Sequence, residues 1–234
     1  MVLKEGIHED TENRDRLMEL TRFKSSSVEG WTSLAEYVAR MKDGQDAIYY
    51  ISATDAEQAA KSPQLEGFQA KGVEVLFMTD PVDEFWMPAV GMFDAKPFKS
   101  ATRGGVDLSK IAGADDADKK DGADDAKEET PAGMDALMAA FKLALGDKVK
   151  DVRASSRLTD SPVCLVADEG DMDMHLERLL KAHNQLDSAS ARVLEINPKH
   201  GLIRNLAGLA EVDATDRTLD DAAYLLLDQA RIVE

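Results

Sequence analysis

The side chains able to do chemistry are few and badly spaced for it. His8, His175, His183 and His200 are scattered through the chain with neither HExxH nor Cys/His metal spacing. His175 and His183 are too far apart along a helix to share an ion. Cys164, the only cysteine, lies in the apolar run PVCLVAD, where a buried, inert thiol is expected rather than a nucleophile. There is no GxSxG elbow, no GxxxxGK[ST] loop and no GxGxxG after a strand. Gly104-Gly105 opens no helix, and one Arg103-Gly104-Gly105 on an anionic chain reads as a turn rather than an RNA-binding segment. Gly122 and Glu128 have the separation of positions six and twelve of a calcium loop, but Ala117 and Lys119 would then occupy ligand positions and cannot serve. Acid pairs such as Asp83-Glu84 arise by chance in a chain with 45 carboxylates. No catalytic residue and no metal site is expected in this chain.

What remains is apolar surface. Phe85, Trp86 and Met87 are consecutive on a helix, so they point in successive directions and at least one must face outward. In GDMDMHLERLLKAHNQ (170–185), Met172, Leu176, Leu179 and Leu180 fall at i, i+4, i+7 and i+8, one side of a helix. Such a stripe ordinarily lies against a sheet. Leaving four such side chains wet forgoes roughly 6–12 kcal/mol, as much as a whole domain's stability. Exposure makes sense only if function requires it, and periodicity leaves both placements open.

The elements that must position these residues fall into two blocks. TENRDRLMELTRF and TSLAEYVARM predict helices, the second capped by Thr32 or Ser33. DAIYYISA (46–53) and GVEVLFMTD (72–80) predict strands buried on both faces, separated by a short helix that stops at Pro63. PVDEFWMPAVGMF predicts a further helix. This alternation is the pattern of a small three-layer α/β domain over 1–110. Residues 111–132 are rich in carboxylate, glycine and alanine, and read as a flexible acidic linker. From 133 onward come the helix GMDALMAAFKLALGD stopped by Gly146, the strands KVKDVRAS and PVCLVAD as a pair, the 170–185 helix, a strand ARVLEIN, and two closing helices.

With 45 acidic against 28 basic side chains the net charge is −17, which argues against nucleic acid and anionic membrane surfaces as partners. No apolar run reaches the roughly 18 residues of a membrane helix, and no signal peptide opens the chain. One cysteine precludes a disulfide framework, and a cytoplasmic location is expected.

IHEDTENRDRLMELTRFKSS, TSLAEYVARMKDGQDAIYYISA and SPQLEGFQAKGVEVLFMTDPVDEF follow one another as in the heat-shock protein 90 family, and EINPKH completes the likeness, which is greatest to its bacterial members. The resemblance runs from about Gly6 to Asp228 and loosens in the acidic linker. It implies that residues 1–110 are the late α/β part of a middle domain and that 133–234 form an α+β dimerisation domain with a short sheet and helices. The family's ATP pocket and an arginine loop that assists hydrolysis would lie upstream, so ATP and magnesium belong to the full-length family and no cofactor is expected in this chain. A further helix that follows in relatives is absent here, which implies a piece of a longer protein or a truncated gene product, and a weakened homodimer.

The implied partners are unfolded or partly folded client proteins and a second copy of the chain. The implied client surface is Glu84, Phe85, Trp86, Met172, Leu176, Leu179 and Leu180, with Phe85 standing where relatives carry the aromatic after Asp-Glu. The implied dimer face on the last helix is Leu219, Tyr224, Leu225, Leu227 and Ile232. Two rival readings stay open: an acidic adaptor that binds one basic partner, and a small α/β enzyme with an unrecognised site.

Overall fold

The computed structural model describes residues 2–106, 108, 111, 131–168, 170–186 and 190–233. The first block runs α1 (Val2–Glu9), α2 (Arg14–Leu20), β1 (Lys24–Ser25), α3 (Leu34–Ala39), β2 (Ile48–Ser52), α4 (Ala56–Ala60), a 3-10 turn (Pro63–Leu65), α5 (Glu66–Ala70), β3 (Leu76–Met78), α6 (Asp83–Val90), β4 (Met92–Phe93) and β5 (Lys96–Ser100). Its sheet has the order β1-β3-β2-β5-β4; β3, β2 and β5 are parallel and the two edge strands antiparallel.

Side-chain alternation along the strands gives this sheet two dry faces. Tyr49, Ile51 and Phe77 join Leu65, Phe68 and Val75 on one side. Ile48, Leu76 and Met78 join Ile7, Leu34, Tyr37 and Trp86 on the other. The three-layer expectation holds. Ser33, not Thr32, caps α3: its hydroxyl accepts the Glu36 N–H while the Glu36 carboxylate accepts the Ser33 N–H, a reciprocal capping box.

α6 ends earlier than its apolar pattern suggests. Gly91 caps it at φ +71°, and Met92–Phe93 turns back as β4 through Asp94 and Ala95, both at positive φ (48° and 56°). Two such residues make the tight turn whose twist suits a hairpin. The strand it leads into, β5, was not evident in the sequence: LysProPheLysSer carries a proline and two lysines, yet pairs Phe98–Ser100 with Ile48–Tyr50 near the middle of the sheet.

The second block runs α7 (Met134–Leu145), a 3-10 turn (Gly146–Lys148), β6 (Val149–Ala154), β7 (Val163–Val166), α8 (Met174–Ala182), β8 (Arg192–Ile196), α9 (Gly201–Val212) and α10 (Arg217–Val233). β6 and β7 do not pair with each other. β8 lies between them, parallel to β6 and antiparallel to β7. Every β8 residue is buried, as suits a central strand, and the edge strand β7 is equally buried, with α10 and the Pro63–Leu65 turn packed against it. Met134, Leu137, Phe141, Leu194, Ile203, Leu219 and Leu226 weld α7, α9 and α10 to this sheet. α7 approaches α9 so closely that a Cβ at Gly133, itself at φ +79°, would sit 2.1 Å from the Ala207 carbonyl oxygen.

Of the acidic stretch 111–132, only Ile111, Pro131 and Ala132 are described, so its reading as a flexible linker lies outside the described residues; Ile111 is buried against the first core. Among the described residues no helix is long and apolar enough to cross a membrane.

Candidate functional site

The two blocks meet through backbone and buried polar groups. Gly104 N–H donates to Ala167 O (2.8 Å) and Ala167 N–H to Thr102 O (3.0 Å), a single strand-like bridge. Arg157, buried, donates to Ala101 O and Arg103 O at 2.6 and 2.8 Å. The Gln64 amide donates to Leu165 O at 2.6 Å.

The Glu66 carboxylate accepts the N–H groups of Thr159, Asp160 and Ser161. Burial pushes the Glu66 carboxyl up, but the bonds from Ser161, Asp160 and Thr159 outweigh it and hold the group below its ordinary value. A group with a depressed folded-state pKa stabilises above its unfolded value and loses that contribution as pH falls through the folded one. Melting temperature is therefore expected to gain a component that declines below about pH 4.5, the ordinary value, and that is missing in Glu66→Gln. An identical acid-side decline in the variant would refute this.

α8 starts at this seam. Asp173 is its N-cap, with Oδ1 accepting the His175 N–H at 3.0 Å. Its Oδ2 accepts the hydroxyls of Ser100 (2.7 Å) and Thr102 (3.0 Å) from the end of β5. His175 Nδ1 lies 3.0 Å from Glu84 Oε1 on α6. Tyr50 flanks these acids; burial, with the Asp173 and Glu84 charges behind it, pushes its phenol well above the usual range, so it stays neutral.

The side of α8 turned to its own domain is not the leucine side. Met174 and Glu177 are the buried residues, and Glu177 is held by the Arg192 guanidinium and the Ser190 N–H. A buried carboxylate needs such partners. Leu176, Leu179 and Leu180 are only half-buried, and none joins an apolar core cluster among the described residues. Met172, 37% exposed, precedes the N-cap, so it borders the stripe without being part of the helix.

On α6 the three consecutive residues separate as their spacing demands. Phe85 is 48% exposed, whereas Trp86 and Met87 are core. Trp86 must be corrected: its ring is fully buried, edge-on to Phe98 (5.7 Å), and its Nε1–H donates to Asp83 at 2.7 Å, so it offers no surface. Glu84, also expected on the client surface, is buried too, and its carboxylate meets His175 Nδ1 at 3.0 Å. Sequence reasoning overlooked Asp173, His175, Ser100 and Thr102 as a group. The signal available was an Asp just ahead of an amphipathic run, a helix-start mark.

The last helix divides similarly. Leu219 and Leu227, expected on the dimer face, belong to the core formed with α7 and β7. Leu225 (70% exposed) and Ile232 (85%) face solvent; Tyr224 is partly exposed, donates to Ala144 O and carries Lys148 Nζ over its ring. Cys164 is buried, which pushes its thiol far above the usual range. No cluster of His, Cys, Asp or Glu among the described residues has the arrangement to hold a metal ion.

The region therefore combines partly exposed leucines on α8, an exposed Phe85 on α6 and buried ion pairs that fix the two helices. The model for the Hsp90 protein family matches residues 1–233. The chain belongs to that family. It is 57% identical over its full length to the chaperone protein HtpG of Paramagnetospirillum magneticum, and 56% identical to that of Roseobacter denitrificans. It spans 37% of the length of each of these relatives.

Proposed function

We propose that this chain is the client-holding and self-associating part of an Hsp90-family chaperone. Unfolded or partly folded polypeptide lands on Leu176, Leu179 and Leu180 of α8, bordered by Met172 and extended across the seam by Phe85. The partial exposure of these leucines, outside every described core cluster, carries the reading. Methionine and leucine suit varied clients because their side chains adapt to differently shaped apolar groups. In this reading ATP, with magnesium, is bound and hydrolysed by parts of the protein outside this chain, the setting is the cytoplasm, and the negative charge keeps copies of the chaperone soluble.

Leu176→Ser with Leu179→Ser is expected to cut suppression of thermal aggregation of a model client several-fold while stability falls by about 2–4 kcal/mol, since partly wet side chains contribute only part of their burial energy. A collapse of the melting transition would show the stripe to be core. The exposed side of α10 supports association with a second copy. Leu225→Asp with Ile232→Asp should shift sedimentation from dimer to monomer and leave the melt nearly unchanged, whereas an unaltered dimer would place the interface elsewhere.

A further inference from the structure

α8 follows β7 in sequence, yet its first turn is fastened to the other block. Asp173 is 4% exposed and spends one carboxylate oxygen on capping the helix and the other on two hydroxyls from the end of β5. One residue past the helix start, His175 reaches Glu84 on α6, the residue next to Phe85. These attachments lie at the N-terminal end of α8 with partners in the first block, and Gln64 of the same block adds a third, its Nε2–H donating to Met174 Sδ at 3.7 Å. The helix is held from its own side by Met174 in the core and by Glu177 on Arg192.

We infer that Asp173 is a positioning residue: through Ser100 and Thr102 it makes α8 follow the first block, so that the leucine stripe and Phe85 present one client surface of fixed geometry. This rests on the client-holding reading. A charge-assisted bond to each hydroxyl is stronger and shorter than a neutral one. The cluster is dry, so water does not readily replace a lost donor. Affinity for a segment spanning both patches depends on their being pre-set at the right separation, because each immobilisation made on binding subtracts from affinity.

Removing the first-block donors leaves the helix cap intact, since Asp173 still accepts the His175 N–H. The experiment uses Ser100→Ala with Thr102→Val. Nitroxide labels go on cysteines placed at Glu57 and Lys181, both exposed, and a second pair at Glu57 and Glu211 serves as control; native Cys164 is buried. The 57–181 distance distribution should broaden while 57–211 stays narrow. Affinity for a fluorescent, permanently unfolded reduced and carboxymethylated lactalbumin should fall three- to tenfold. Ser100→Ala with Thr102→Ser, which keeps one hydroxyl, should recover most of it.

Unchanged 57–181 distances would overturn the inference. So would broadening of both pairs, which would make the hydroxyls a general fastening between blocks. Unchanged affinity despite a loosened α8 would also overturn it. Failure of the unsubstituted chain to bind the unfolded probe would instead defeat the client-holding reading.

Discussion

Trp86→Ala is expected to destabilise the protein by about 3–5 kcal/mol, the range for emptying a buried aromatic site. The ring has no exposed surface and packs between Phe23 and Phe98. It also donates to Asp83, which is buried and bonded at 2.8 Å to the equally buried Lys4. The substitution therefore opens a cavity and takes one donor from a buried carboxylate, two penalties in the same direction. Phe85→Ala, one residue earlier, should change stability by no more than about 1 kcal/mol because half the ring is already wet, while weakening client binding. Urea melts of the two variants separate the roles. A Trp86→Ala loss no larger than that of Phe85→Ala would mean that the indole does not support the core.

Glu195→Ala should be nearly as severe. Glu195 is buried on β8, accepts the Ser155 hydroxyl at 2.9 Å, and pairs with Arg153 at 2.8 Å and Arg157 at 3.1 Å. Removing it strands Arg157, itself buried, whose other donors grip Ala101 O and Arg103 O across the seam. Breaking one partner of such a buried pair costs about 3–5 kcal/mol. Protease cleavage near Ala101–Gly105 should accelerate as well, because the same guanidinium ties that segment down. Glu195→Gln, which keeps an acceptor, should lie between. A melt within about 0.5 kcal/mol of the unsubstituted chain would show that the arginines find other acceptors.

Much of the architecture could be read from local pattern. The continuous apolar runs at 48–51 and 75–78 announce strands with two dry faces, and both are strands of the parallel core. The run ending at Gly146 announces α7 and its stop. β5 escaped notice because its contribution is backbone pairing to β2, which a sequence with Pro97 and two lysines does not advertise. Likewise the order β6-β8-β7 rests on backbone pairing between strands distant in sequence; β7 and β8 are both buried throughout, so apolar pattern does not tell the centre from the edge.

The candidate site divides in the same way. Amino-acid order alone settled that Phe85, Trp86 and Met87 could not all share one core, that a helix would lie within 170–185, and that the chain has no phosphate loop or metal spacing, because these depend on periodicity and local chemistry; the helix itself starts only at Met174. Tertiary structure decided which aromatic stayed wet, because Asp83 and Phe98 take Trp86 inward. It also decided that α8 buries Met174 and Glu177 instead of its leucines, because Arg192 and Ser190 wait on the one side and nothing in the described cores receives Leu176 and Leu179 on the other. Burial is fixed by partners distant in sequence, and a helical repeat records only which residues share a face.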